Sequence, residues 1–134
     1  MVQKVQGGCR CRAALYEIDL TNAHTLACHC TDCQKHLGAP YSIFTQVPAD
    51  QFRWLQKPDG EIAFSKIAKR LFCKQCGTYL KWEGSKATHE AEINIMTLDD
   101  PQHISIDEEI FIKSRLPWIE PLDGIPQHQK SRTE

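Results

Sequence analysis

Seven cysteines stand in three clusters, and they carry most of the chemistry that the residue types allow. The first cluster is Gly8-Cys9-Arg10-Cys11, a C-x-C pair. The second, Cys28-His29-Cys30-Thr31-Asp32-Cys33, reads C-x-C-x-x-C, and the third, Phe72-Cys73-Lys74-Gln75-Cys76-Gly77, is a C-x-x-C knuckle followed by glycine. A C-x-x-C turn aims two thiolates at one point, and the glycine after it supplies the positive φ of a tight return. Tetrahedral zinc takes four such soft ligands at about 2.3 Å. Cys9, Cys11, Cys73 and Cys76 provide the two pairs of a closed structural site, which would tie an early strand to a central hairpin.

Cys28, Cys30 and Cys33 lie so close in sequence that one loop can deliver three thiolates to one face of a second zinc. With the other four cysteines committed, that zinc has an open fourth position, the mark of a catalytic or exchangeable site. Three thiolates outweigh the charge of the metal, so it acidifies water weakly, while its softness suits a soft fourth partner. A substrate thiol held as thiolate is therefore favoured over a zinc hydroxide. Other partitions stay open at this level. Cys30 and Cys33 with Cys73 and Cys76 would make a ribbon-like site, although the gap between the pairs is long for a ribbon. All seven cysteines could serve purely structural sites, and a redox C-x-x-C lacks the surrounding βαβ pattern. Alternation in an extended segment turns His29 away from the metal. His24, His36, His89, His103 and His128 read as surface or packing residues.

The elements that must position these clusters are mostly strands. Apolar and β-branched runs bounded by Gly and Pro predict strands over 14–20, 24–30, 41–47, 61–67, 90–98 and 109–115. A hairpin over 70–83 has the third cysteine cluster as its turn. In 61–67 the alternation is carried by Ile62, Phe64 and Lys66. Helical signals are short: 32–37 ending near Gly38, and one turn after Pro48. The fold class is mainly β, a sandwich or curled sheet with short helical turns.

The chain of 134 residues fits one domain, with a polar and loose C-terminal tail over 126–134. Lys+Arg 16 against Asp+Glu 17 leaves a net charge of -1, which argues against broad binding of nucleic acid or anionic membrane. A local basic patch is still available from Lys66, Lys69, Arg70 and Lys74. No segment has the length of a membrane-spanning helix, and Met1 to Gly8 carries no apolar stretch of signal-peptide type. The expected setting is a reducing cytoplasmic compartment, where an odd number of cysteines suits metal ligation better than disulfides.

Taken together, the three cysteine clusters, with Gln34-Lys35 after the second and Thr78 after the third, resemble the glutathione-dependent formaldehyde-activating enzyme family, which includes centromere protein V. Gly38-Ala39-Pro40, His103-Ile104 and Ser114-Arg115-Leu116-Pro117-Trp118 fit the same pattern, so the resemblance runs over about 7–126. It implies a complex β-sandwich with two zinc ions per chain: Cys9, Cys11, Cys73 and Cys76 on the structural zinc, and Cys28, Cys30 and Cys33 on the catalytic one. It also implies a carbon–sulfur lyase that joins glutathione to formaldehyde, giving S-hydroxymethylglutathione. His36-Leu37 departs from the family, where a small polar residue commonly precedes the glycine. On the enzyme reading, Lys35, Lys66, Lys69 and Arg70 are candidate partners for the glutathione carboxylates. Thr31, Ser114 and Trp118 are candidate pocket residues, with core packing the plainer role for Trp118. The alternative is a non-catalytic zinc module for a protein or nucleic-acid partner, the latter weakened by the near-zero charge.

Overall fold

The structure, a computed structural model, describes residues 3–63, 65–84 and 90–131 of the chain. It is mainly β. In chain order the elements are β1 Lys4–Gly8, β2 Leu15–Asp19, β3 His24–Cys28, α1 Thr31–Leu37 and β4 Ser42–Pro48. There follow β5 Phe52–Gln56, β6 Gly60–Ala63, β7 Ala68–Phe72, β8 Tyr79–Gly84, β9 Glu90–Asn94 and β10 Glu108–Ile110. They fall into two compact units, Met1–Ala23 with Thr45–His103 and His24–Phe44 with Ile104–Glu134. No helix of the described residues is long and apolar enough to cross a membrane.

In the first unit, β1, β2 and β5 form an antiparallel sheet in that order. Alternation along β2 sends Tyr16 and Ile18 into the core, both fully buried, and Leu15, Glu17 and Asp19 toward the other face. Tyr16 packs on Phe52 and edge-on to Trp54 of β5, with ring centroids 5.3 and 6.1 Å away. Its hydroxyl meets Thr97 Oγ1 at 2.8 Å, so the buried phenol is satisfied. β6, β7, β8 and β9 follow as an antiparallel meander. Leu71, Leu80 and Ile93 are its fully buried side chains, and Lys81 of β8 lies over the Phe52 ring at 5.4 Å.

Gly7 shows how tightly β1 is seated. A Cβ there would stand 2.4 Å from Tyr16 Cζ and 2.5 Å from the Thr97 carbonyl oxygen, which is backbone and cannot swing aside. Gly7→Ala is therefore expected to destabilise the protein by about 1–3 kcal/mol, the range for overpacking a filled site. Urea unfolding measures it, and an unchanged midpoint would mean that β1 moves away freely.

In the second unit, β10 pairs in parallel with β3, setting Glu108 against Leu26, Glu109 against Ala27 and Ile110 against Cys28. Leu26, Cys28 and Ile110 thus share one buried face, and Cys30, Cys33, Phe44 and Phe111 pack against them. Helix α1 starts at Cys30, whose sulfur accepts from the Cys33 N–H at 3.2 Å, and ends at Gly38. Residues 126–130 are not part of a loose tail. Glu109 N–H donates to the Pro126 carbonyl and His128 N–H to that of Glu109, at 3.0 and 2.9 Å; Phe111 N–H reaches the Lys130 carbonyl at 2.8 Å. Those are backbone bonds, so the polar composition that suggested a tail was silent about them.

Several expected strands are shorter than their composition suggested: that over 61–67 ends at Ala63, that over 24–30 at Cys28, and two more are cut by turns. β9 stops at Asn94, where the side chain accepts from the Met96 N–H and opens a 3₁₀ turn, Ile95–Thr97. After β10, Phe111 adopts φ 55° and leads into another 3₁₀ turn, Ile112–Ser114, in place of a strand to residue 115. Phe64 and His89 lie outside the described residues.

Candidate metal centres

All seven cysteines carry free thiols, and the fold gathers them into two groups: Cys9, Cys11, Cys73 and Cys76 in the first unit, and Cys28, Cys30 and Cys33 in the second. Within each group every sulfur lies within 4.8 Å of the others. The structure brings neither the ribbon-like set nor any other mixed set together among the described residues.

The four-cysteine group is built from two turns. After β1, Arg12 N–H donates to the Cys9 carbonyl, and the Ala14 N–H reaches Cys9 Sγ at 3.3 Å. After β7, Gly77 takes φ 81° so that its N–H can return to the Cys73 carbonyl at 2.7 Å, the positive-φ return expected after a C-x-x-C knuckle. Thr78 joins the two turns. Its hydroxyl accepts from the Arg10 N–H at 3.1 Å and can donate to Cys76 Sγ at 3.2 Å. Cys9 and Cys73 are almost completely buried. The Thr78 hydroxyl and N–H, with the Cys11 backbone, pull the Cys76 thiol down to about 5.

The distances test whether a metal fits. Four ligands at about 2.3 Å in a tetrahedron stand about 3.8 Å apart. Cys9 Sγ and Cys11 Sγ are 3.6 Å apart, and Cys11 Sγ and Cys73 Sγ 3.7 Å. In the second group Cys33 Sγ and Cys28 Sγ are 3.6 Å apart. These separations are far longer than a disulfide bond and close to the edge of a tetrahedral thiolate site. The donor set suits a soft divalent cation, and both groups could hold one.

Electrostatics points the same way in the second group. The Cys28 thiol is pushed up by its contacts with Cys30 and Cys33 and then by burial. Three thiols this close cannot all ionise unless a cation compensates them. The group has three members; no fourth His, Cys, Asp or Glu atom of the described residues joins it.

His29 points away from the sulfurs, as alternation requires. It is fully buried, with Nε2 2.8 Å from Glu109 Oε1 and the ring tilted against that of Tyr41, centroids 4.9 Å apart. Sequence reasoning passed over Glu109, Gln127 and the role of Arg115, because a Glu-Glu pair on a short strand reads as solvated charge. His24 and His128 both meet Glu108, at 2.5 and 3.1 Å, and exposed His103 pairs with Asp100 at 3.6 Å.

The proposed substrate contacts fare unequally. Thr31 and Lys35 are exposed on α1, the helix that carries Cys33. Ser114 offers its carbonyl to Gln34 Nε2 of α1 at 3.0 Å. Trp118 is 68% exposed, which removes the core-packing role. Lys66, Lys69 and Arg70 belong to the first unit, where Lys69 pairs with Glu61 and Arg70 is buried over the Tyr79 ring.

Known proteins resemble the chain over half of its length or more. The model of the family described as glutathione-dependent formaldehyde-activating enzyme matches residues 4–114. An uncharacterized lyase of Schizosaccharomyces pombe is 27% identical over 112 residues, 82% of this chain and 80% of that protein. A Podospora anserina protein named "Putative glutathione-dependent formaldehyde-activating enzyme" is 38% identical over 76 residues, covering 54% of this chain but only 36% of that longer protein. A crystal structure of a Rhodobacter sphaeroides protein shares the fold, with a TM-score of 0.56 at 19% identity over 91% of this chain and 98% of that one.

Proposed function

The chain belongs to the glutathione-dependent formaldehyde-activating enzyme family, and on that premise we propose that it is a zinc-dependent carbon–sulfur lyase with two zinc ions per chain. One zinc, on Cys9, Cys11, Cys73 and Cys76, is structural. The other, on Cys28, Cys30 and Cys33, is the working centre, and glutathione or a related thiol is its partner. The observation that carries this reading is the three-member sulfur group, which leaves one side of a tetrahedral ion free.

When bound, zinc supplies a positive charge that keeps a fourth, substrate sulfur in its thiolate form. The residues supply the frame. Cys28 is fixed at the end of β3 among Leu26 and Ile110, and Cys30 and Cys33 are held in register by the N-cap bond of α1. Phe44 and Phe111 border the same group and keep its surroundings apolar, which strengthens charge interactions there. Lys35 is the cation on the same helix available to a glutathione carboxylate.

The reaction adds the thiolate sulfur to the carbonyl carbon of formaldehyde. A carbon–sulfur bond forms, the carbonyl π pair moves to oxygen, and that oxygen takes a proton from water, giving the S-hydroxymethyl adduct. The reverse breaks the same bond and returns the proton.

Cobalt substitution tests the reading directly. Adding glutathione to the cobalt-loaded protein should shift the visible absorption of one of the two metals and leave the other unchanged. An unaltered spectrum at saturating glutathione would sink the thiol-site reading.

A further inference from the structure

Behind the three-cysteine group, on the opposite face of β3 and β10, lies a buried charged hub that nothing in the chemistry above uses. The register that sets Ile110 beside Cys28 sets Glu109 beside Ala27, so Glu109 and His29 share the face away from the sulfurs. Glu109 is 1% exposed. Its carboxylate accepts from His29 Nε2 at 2.8 Å, Arg115 Nη2 at 3.1 Å, Leu122 N–H at 3.0 Å and Gln127 Nε2 at 2.6 Å. Arg115 also bonds Gln127 directly. Burial pushes the Glu109 carboxyl up, but the bonds from Gln127, His29 and Leu122 and the Arg115 charge outweigh it and hold it below the usual range.

A largely buried ion pair such as Glu109–Arg115 is a poor source of stability, since apolar residues of the same volume often do as well or better. Four donors from three separate stretches of chain meeting on one carboxylate indicate a geometric role. Only one of those stretches carries proposed ligands: His29 stands between Cys28 and Cys30. Its N–H donates to the Ile110 carbonyl at 3.1 Å, and its own carbonyl accepts from Gln34 Nε2 of α1 at 2.9 Å. The imidazole is thus the arm by which the hub grips the ligand strand, and the backbone on either side is clamped as well.

We propose that Glu109 is a positioning residue for the three-cysteine centre, fixing through His29 the directions in which Cys28 and Cys30 present their sulfurs. Arg115 and Gln127 hold the carboxylate in turn, so the C-terminal segment becomes part of the site's support. The inference rests on reading the three thiols as a metal centre. Groups that hydrogen-bond a metal ligand directly change affinity by about 10–100-fold when lost, and Glu109 acts one residue further out, so its effect falls at the low end, about 10-fold.

The test is cobalt titration of full-length Glu109→Gln and His29→Phe, following the visible absorption of each centre. Glu109→Gln keeps the volume but turns an amide NH₂ toward donors that now lack an acceptor. Affinity at the three-cysteine centre should fall by about 10-fold with an altered absorption band, while the four-cysteine centre binds as in wild type. Should Glu109→Gln fail to fold, Gln127→Leu, which removes one donor of the four, must give a smaller shift in the same direction. Unchanged affinity and absorption at the three-cysteine centre in the folded variants would overturn the proposal. A wild-type protein that binds two cobalt ions but ignores glutathione would sink the thiol-site reading and leave this one standing. A wild type that binds a single cobalt ion would remove both.

Discussion

Cys28→Ser is expected to lose one of two zinc equivalents and to abolish glutathione adduct formation with the fold intact. Outer-shell partners cost about 10–100-fold in affinity or activity, and a ligand stands nearer the metal than any of them, so the loss should exceed about 100-fold. The fold should survive because the second group is not what ties the first unit together. Its three sulfurs come from one short stretch, and closing so short a loop constrains the unfolded chain little. The local cost is a hydroxyl placed among Leu26, Ile110 and Phe44, of the order of 1–3 kcal/mol if it finds no partner. Zinc per chain, measured by atomic absorption on protein purified without chelator, and a thermal melt decide the matter. Two zincs falling to one, with a melt displaced by only a few degrees, is the expected pair of results. One zinc in both proteins would mean that the three-cysteine group is vacant, and the lyase reading would lose its centre.

How far these groups could be read beforehand depended on whether the signal was local. The C-x-C and C-x-x-C spacings are local, and the structure gathers the sulfurs in the expected four and three. Alternation is local too, so β2, β4, β7 and β8 stand close to where their patterns put them. β1 was missed because Lys4–Gly8 has three exposed residues and then two glycines, leaving no apolar alternation to notice. β5 was missed because Phe52 was absorbed into the turn that begins after Pro48; the turn ends at Gln51 and Phe52 starts the strand. The hub around Glu109 lies beyond local patterning altogether. Its partners are as far as 80 residues away in the chain, and a period-two pattern says which face a residue occupies, not what stands across from it. The core-packing reading of Trp118 fails for a related reason: its size suggested burial, yet the stretch around it is held at Arg115 and Leu122, and the ring itself is left in solvent.

Cys73→Ser should do what Cys28→Ser does not, and unfold the protein. Cys11 and Cys73 are 62 residues apart, so a metal held between their turns closes a long loop and joins the end of β1 to the β7–β8 hairpin. The two buried members, Cys9 and Cys73, have their backbones fixed, Cys9 by Ala14, whose N–H also reaches its sulfur, and Cys73 by Thr78 and Gly77. Structural zinc contributes about 10–16 kcal/mol of apparent binding energy in small zinc domains, comparable with the 5–15 kcal/mol of net stability that a whole domain possesses. Losing most of that contribution leaves no margin, and the three thiols left behind share the site with a hydroxyl that binds zinc poorly. The variant is therefore expected to be largely unfolded at 25 °C by circular dichroism, and chelation of the wild type by a strong agent should reach the same state. Arg10 and Thr78 sharpen the comparison, because Thr78→Val removes the bond between the two turns and the hydroxyl contact with Cys76 Sγ while leaving all four thiols in place. That change should cost about 1–2 kcal/mol, the scale of a lost hydrogen bond with one partner left unmet. If Cys73→Ser instead melts within about 5 °C of wild type, a shift worth roughly 1 kcal/mol, the four-cysteine group is not holding the fold. The division into one structural and one working centre would then have to be abandoned.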